Sequence, residues 1–476
     1  MSSAASISRM QAWLGTCISS HPKCNRMETH PPPLPTRVIA VGGKRSQICH
    51  LLPGANTRGN YAALSHCWGS SDNQPLKTTD ETLTLRQQGM KDEELPKTFR
   101  DAVQVCRELG IKYLWIDSLC IIQDQDSQED WAREAPKMGD VYGNSVLTIF
   151  ATASADSSEG LFRNRLGLGI SPCPIGLSGQ QYIVVRHPTF EKSSDPGDLG
   201  ISYFHPLNHR GWVLQEQVLS RRSLVFTPDY IIWRCASMST NEMYTSGIQH
   251  NPYVGMDIYR LLHCLINNIV GVGRRKPDIN IYASWYRMIE NFTSRKLTYQ
   301  DDRLPAIAGL AKKFAAIANG NYYAGLWRGD LFIGLLWKRK ILDPTKIDRT
   351  SRAPSWSWAS VNVSIDYMAF ASVGDDCGHS SISPLLDILD VSDPPCSAEH
   401  PFGKTSKATL RLCGALIKVV FFTHTAQKSS GQMTTVSPRQ WRLVGIAYPY
   451  LCITACTMEP TDQAMRNHTQ RPGKNR

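Results

Sequence analysis

Four stretches of the chain carry residue types whose spacing could support chemistry. SHCWGS, from Ser65 to Ser70, sets a hydroxyl, an imidazole and a thiol side by side. Successive strand side chains point to opposite faces, and a nucleophile normally meets its base through the fold, so this adjacency argues against a catalytic pair. Backbone N–H groups around Gly69, with the Ser65 and Ser70 hydroxyls, instead suit an anionic or nucleotide ligand at a strand end. The competing reading is a structural turn with Trp68 packed as core. Asp117 stands alone in the apolar run YLWIDSLCIIQ from Tyr113. An unpaired carboxylate there would be costly, so it must reach either a crevice or a buried partner. In RGWVLQEQVLS, from Arg210, the residues Trp212, Gln215, Glu216 and Leu219 share one helical face, with Glu216 four positions after Trp212. Glu216 is either a working carboxylate or half of an ion pair with Arg210, Arg221 or Arg222.

The fourth stretch is metal-like. Cys17, His21 and Cys24 form a C-x3-H-x2-C cluster, and His30, Cys49 or His50 would have to supply a fourth ligand for zinc. Structural zinc sites need four ligands, and with the fourth unplaced the expectation is ordinary thiols and no bound metal. The acidic loop Asp124, Asp126, Glu129 and Asp130 lacks the glycine and terminal glutamate of an EF-hand, and complementarity to a helix N-terminus accounts for it.

These groups need elements to position them. Phe99, Ala102, Val103, Cys106 and Leu109 recur at helical spacing between Pro96 and Gly110, which predicts a helix feeding the apolar run from Tyr113. That run leaves no polar face, so it reads as one strand buried on both sides through Gln123. Ser127 with Asp130 resembles a capping box, and Trp131, Ala135, Met138 and Tyr142 continue a helix in which Pro136 predicts a kink or break. SVLTIFATAS, from Ser145, is the next strand. Residues 61–155 therefore read as a wound α/β unit with helices on both faces of a parallel sheet and its ligand crevice at the strands' carboxyl ends. LPTRVIAVG and QICHLLP, around Gly42-Gly43, predict a lead-in hairpin, and LVFTPDYIIWRC predicts two β runs around Thr227-Pro228-Asp229. Residues 159–207 are a Gly-, Pro- and Ser-rich excursion with one strand signal at QYIVV from Gln181. Residues 250–320 read as mainly helical, and the tryptophans at 327, 337, 356 and 358 as packing elements.

Composition bounds the function. The 476 residues, 42% of them apolar, suffice for two or three domains. Fourteen cysteines without framework spacing favour reduced thiols, and no secretory or membrane-spanning signal is evident, so an intracellular, cytoplasmic protein is expected. The net charge of +11 resides mainly in residues 401–476, which hold eleven Lys and Arg against two acids. That pattern is a solvated basic tail, and nucleic acid is not expected as a partner.

Five motifs carry a family resemblance: YAALSHCWG at Tyr61, LPKTFRDAVQVCRELGIKYLWIDSLCIIQD at Leu95, DWAREAPKMGDVYGNSVLTIFATAS at Asp130, GLF at Gly160 and RGWVLQEQVLS at Arg210. In this order they resemble the heterokaryon-incompatibility (HET) domain of filamentous fungi. The likeness continues more loosely through DDRLPAIAGLA at Asp301, YYAGLWRGDL at Tyr322 and APSWSWASV at Ala353. It implies fungal self/non-self recognition and regulated cell death, with protein partners of an incompatibility pathway and a capacity for self-association. The expected division is 1–60 as an N-terminal extension and hairpin, 61–235 as the HET domain, and 236–476 as a mixed α/β region with the basic tail.

The order of elements also resembles that of TIR domains, a flavodoxin-like alternation whose corresponding helix carries a W-x3-E pattern. In NAD-cleaving TIR domains that glutamate is catalytic, and the resemblance carries this role onto Glu216. NAD is then a substrate rather than a bound cofactor, with Ser65, Trp68, Gly69, Asp117 and Trp212 as the candidate ligand-binding residues. Cleavage of a nicotinamide–ribose bond passes through an oxocarbenium-like state that a carboxylate stabilises without metal. The alternatives are a non-catalytic signalling module of the same pathway and a zinc-binding adaptor built on Cys17, His21 and Cys24.

Overall fold

In the computed structural model the described residues are 1–25, 30–124, 129–164, 205–242, 281–318, 321–340, 353–367 and 401–405. Shorter described pieces are 173–174, 182–183, 248–249, 386–392, 408–414, 416–421, 439–444, 447–448 and 451–452. They fall into two units, Met1–Tyr322 with Pro395–Lys404, and Tyr323–Pro394 with Thr405–Arg476.

A ten-stranded sheet organises the first unit. The predicted hairpin forms from β1 (Arg37–Ala40) and β2 (Ile48–Pro53), with Ala40 opposite His50. There follow β3 (Tyr61–Ser65), β4 (Met90–Lys91), β5 (Tyr113–Ile116) and β6 (Leu147–Phe150). β7 (Cys173–Pro174) and β8 (Tyr182–Ile183), within QYIVV, make a separate ladder. β9 (Arg222–Phe226), β10 (Ile231–Cys235), β11 (Met238–Asn241) and β12 (Ile248–Gln249) complete the set. The sheet order is β12-β11-β10-β9-β6-β3-β5-β1-β2-β4. β3 pairs in parallel with β5 and β6, and β6 with β9, while the wings on either side are antiparallel.

Across the parallel core the strands stand in the order second, first, third, fourth, the winding of flavodoxin-like sheets. The crossovers from β3 to β5 and from β5 to β6 run in opposite directions along the sheet. Right-handed connections therefore put their helices on opposite faces. One layer holds α1 (Ala4–Ser20) packed on α3 (Lys97–Leu109); α2 (Asp80–Gln88) lies against β2. The other contains α6 (Met138–Asn144), α7 (Val213–Leu219) and α9 (Pro305–Phe314), which pack on one another. α8 (Ile281–Thr293) buries Trp285, Ile289 and Phe292 at the predicted helical spacing.

Two local departures matter. The apolar run from Tyr113 is not one strand through Gln123: β5 ends at Ile116, and Asp117–Cys120 forms a single helical turn, α4. Periodicity could not separate the two because every residue from Leu114 to Cys120 is buried. Pro136 does interrupt its helix, where a 3-10 turn at Ala135–Lys137 separates α5 (Glu129–Glu134) from α6. Ser127, the proposed capping residue, lies outside the described residues.

The second unit is described through its tryptophans. Trp327, Trp337, Trp356 and Trp358 are all buried, as their packing role predicted. The Trp358 indole donates to the Gly325 carbonyl at 3.2 Å, and that of Trp337 to the Trp356 carbonyl at 3.0 Å. Gly325 has φ +98, and a Cβ there would meet Trp358 Nε1 at 2.5 Å. Antiparallel pairs at Leu386–Ser392 with Thr409–Gly414 and at Leu416–Phe421 with Arg439–Val444 supply its β content. Among the described residues no helix is long and apolar enough to cross a membrane.

The packing of α6 on α9 rests on bare backbone. A Cβ on Gly139 would lie 2.8 Å from Gly309 Cα and 3.2 Å from Leu219 Cδ1. Gly139→Ala should therefore destabilise the first unit by about 1–3 kcal/mol in chemical denaturation, despite the better helix propensity of alanine. An unchanged midpoint would show that the two helices can part freely.

Candidate functional site

The carboxyl ends of the parallel strands gather most of the residues singled out in the sequence. Ser65 is the last residue of β3 and lies opposite Phe150, the last of β6, on either side of the point where the winding reverses. His66 follows Ser65, and its Nδ1 meets the Cys67 carbonyl at 3.0 Å while Nε2 meets Asp117 Oδ1 at 3.0 Å. Both ring nitrogens are therefore engaged, one by the loop backbone and one by the carboxylate. Asp117 Oδ2 accepts from the Trp68 indole at 2.7 Å, and Oδ1 also accepts from the Ser118 amide at 2.8 Å. The Arg210 guanidinium donates to the His66 carbonyl. Lys77 stands 5.3 Å above the Trp68 ring, a cation–π contact. Gly69, at φ +82, turns the chain where any Cβ would meet the Asn73 carbonyl oxygen at 2.4 Å.

Glu216 enters this group from α7. It is 5% exposed, and Oε2 makes no hydrogen bond of ordinary geometry, nor does Ser65 Oγ. The hydroxyls of Ser65 and Tyr142 nevertheless stand near enough to favour its ionised form, together with the charge of Arg210. Tyr142 donates to the Leu64 carbonyl at 3.3 Å, which fixes α6 over β3. The buried hydroxyls of Ser118 and Thr152 also lack partners. Ser65, Ser118 and Thr152 thus place unsatisfied hydroxyls at or just past the ends of β3, β5 and β6, three adjacent strands.

The two carboxyls are driven apart. Desolvation raises Glu216 above its ordinary 4.5 and outweighs the help of Ser65, Arg210 and Tyr142. Desolvation also acts to raise Asp117, but the charge and hydrogen bond of His66, then Arg210 and Trp68, bring it below 3.8. The stability consequences have opposite signs. Asp117, depressed when folded, contributes stability that is complete above 3.8 and is lost as pH falls through its folded value. Glu216, raised when folded, costs stability at neutral pH, and that cost disappears as pH falls towards 4.5.

The remaining expectations sort as follows. Trp212 does not share Glu216's surroundings: its indole donates to Asp302 Oδ2 at 3.3 Å and its ring packs edge-on against Trp131 at 5.6 Å. Gln215 and Leu219 face Gly309 and Gly139, so the proposed common face of α7 is divided between helix packing and the strand ends. Of the three arginines expected as partners of Glu216, Arg221 donates to the Gly143 carbonyl at 3.1 Å and Arg222 turns to the N-terminal segment, which leaves the charge of Arg210. In the acidic loop, Asp130 is taken by Arg37, Arg133 and the Ile122 amide at 2.8 Å, and Asp124 caps the Asp80 amide at 3.3 Å. Asp126 lies outside the described residues. Sequence reasoning missed Tyr142, which looked like one more apolar helix position, and it named His66 without assigning it the Asp117 carboxylate. The lone acid of an apolar run two strands away was the available signal for that pair.

Residues 61–216 match the family model for the heterokaryon incompatibility protein (HET). This chain carries a HET domain. The match opens on the first residue of β3 and closes on Glu216, so it spans β3, β5, β6 and the approach to β9. No curated protein and no solved structure matches the chain. In this HET domain the SHCWG and WIDSLC motifs are two halves of one polar cluster, joined by the His66–Asp117 and Trp68–Asp117 bonds.

Removing Asp117 should be costly because it strands two buried donors, His66 and the Ser118 amide, and the half-buried Trp68 indole. Asp117→Leu should lower unfolding free energy by about 3–5 kcal/mol at pH 7. The gap to the wild type should shrink as pH falls below 3.8, where the wild type loses the same interaction. Denaturant titrations at both ends of that range measure it, and a gap independent of pH would mean that the carboxylate charge contributes nothing.

Proposed function

We propose that the HET domain binds NAD at the carboxyl ends of β3, β5 and β6 and hydrolyses its nicotinamide–ribose bond, with Glu216 as the catalytic carboxylate. We further infer that this activity serves self/non-self recognition leading to regulated cell death in a fungal cytoplasm. The observation that carries the reading is the buried Glu216 carboxyl, raised by desolvation and standing beside the Ser65 hydroxyl at the reversal of the sheet winding. That is where wound α/β sheets take nucleotides. The likeness of the element order, and of Trp212 with Glu216, to NAD-cleaving TIR domains supports the choice of ligand.

In the reaction the bond between ribose C1′ and the pyridinium nitrogen breaks, and its electron pair leaves with neutral nicotinamide. Positive charge develops on the ribose, where the Glu216 carboxylate, held in a site poor in water, opposes it. Water then attacks C1′ and gives up a proton, leaving ADP-ribose and nicotinamide. A glutamate whose pKa burial has raised is a stronger base for that proton than an exposed one. Asp117 has a different part: engaged by His66, Trp68 and the Ser118 amide, it fixes the loop that forms one wall. In this reading Trp212 anchors α7 through Asp302 and Trp131 and leaves the ligand to the SHCWG loop.

A non-catalytic signalling module is the second reading, favoured by the satisfaction of Asp117 entirely within the protein. Incubation with NAD separates the two. The wild type should release nicotinamide, and Glu216→Gln should reduce the rate about 100-fold or more while melting at the same or a higher temperature at pH 7, since it removes a buried charge. Expression in a fungal host should kill with the wild type and not with Glu216→Gln. Full killing by a stably folded Glu216→Gln protein, or nicotinamide release at the wild-type rate, would remove Glu216 from the chemistry.

A further inference from the structure

A second centre lies outside the residues matched to the HET family. Cys17 and His21 are four apart at the end of α1, so they project from one face, and Cys24 follows in a 3-10 turn at Pro22–Cys24. The turn is closed by the Cys24 amide donating to the His21 carbonyl at 3.0 Å, and by the Asn25 side chain donating to the carbonyls of Cys17 at 3.2 Å and Ile18 at 2.7 Å. Cys235, the last residue of β10, comes into the same place from 214 positions beyond His21. One ligand atom from each of Cys17, His21, Cys24 and Cys235 lies within 4.8 Å of every other.

We propose that these four residues bind one zinc ion in a closed, tetrahedral Cys3His site that fastens the N-terminal helix to the outer strands of the sheet. The spacing fits: around a zinc with bonds of about 2.3 Å to sulfur and 2.0 Å to nitrogen, ligand atoms stand roughly 3.5–3.8 Å apart. Cys235 Sγ and His21 Nδ1 stand at 3.4 Å. Three thiols and an imidazole form a soft donor set that suits zinc, and four protein ligands leave no position for substrate, which makes the site structural. All three cysteines are buried and free of disulfides.

The surroundings suit a thiolate metal site. Arg222 lies directly opposite Cys235 in the β9–β10 pairing. It is 4% exposed, and it donates from Nε to Cys17 Sγ at 3.2 Å and from Nη2 to the Cys24 carbonyl at 3.1 Å and Asn25 Oδ1 at 2.6 Å. Cys24 Sγ lies 3.6 Å from the Ser237 hydroxyl. Three thiolates with one Zn2+ carry a single net negative charge, and the Arg222 guanidinium balances it while its N–H orients a ligand sulfur. The site also replaces the fourth ligands considered from sequence. Cys49 packs against Arg107 Nη2 at 3.5 Å, His50 Nδ1 meets the Gln87 carbonyl at 3.4 Å, and His30 is exposed. The expectation of plain thiols rested on a missing fourth ligand, which the fold supplies from β10.

Elemental analysis of the full chain, purified without chelator under reducing conditions, tests this directly. One zinc per chain is expected, with Cys235→Ser losing it and Arg222→Gln weakening retention about 10–100-fold against a chromogenic chelator. Exchange of the wild-type metal for cobalt provides a second readout that does not depend on how well Cys235→Ser folds: the visible bands of tetrahedral thiolate-bound Co2+. Absence of metal from folded protein, a disulfide among the three cysteines, or zinc that survives Cys235→Ser would each overturn the proposal.

Discussion

Two buried carboxylates, Asp117 just past β5 and Glu216 on α7, impose the constraint on which the rest of the HET domain depends. A buried charge has to be compensated or it relocates its proton. Asp117 is compensated: His66, Trp68 and the Ser118 amide converge on it, and this draws the loop after β3 onto the turn after β5. Glu216 is compensated only in part, and its raised pKa records that. One acid is held ionised by its partners, and the other is left with its carboxyl raised by burial.

Holding Glu216 there takes a rigid backing. α7 packs against α6 and α9, which close on each other through Gly139 and Gly309. Tyr142 then pins α6 to the Leu64 carbonyl, and Arg295 ties Gln217 of α7 at 3.0 Å. Immediately beyond α7, Ser220 joins Thr148 of β6 at 2.6 Å, and Arg222 opens β9 by reaching the Cys17 thiol. The stretch from Arg210 to Arg222 therefore connects the polar cluster to the Cys/His cluster. At its other end α1 is held by Ser6, which donates to Glu242 Oε1 at 2.7 Å, so the N-terminal helix is fastened to the antiparallel wing at both ends.

Much of this was legible in the sequence where local signals agreed. Pro96 and Gly110 delimit α3, the Gly42-Gly43 hairpin forms in the expected place, and Pro136 breaks its helix. The wound α/β core followed from the alternation of buried strands with helices. What failed was local pattern without a partner in view. The run after Ile116 is as apolar as a strand, yet it turns helical to bring Asp117 under His66, a choice made by tertiary contacts. Trp212 and Glu216 share a helical face by spacing alone, but Asp302 and Trp131 claim the indole. Cys235 carried no signal near Cys17, since antiparallel pairing of β10 on β9 brings it across.

A carboxyl-carbon NMR titration of the folded chain measures directly whether one buried carboxyl is raised and the other depressed. Substitution of Glu216 and Asp117 in turn identifies their signals. Glu216 should titrate above 4.5 and Asp117 below 3.8, and added NAD should perturb the Glu216 signal. Titration of both groups at ordinary carboxylate values, with neither responding to NAD, would contradict it.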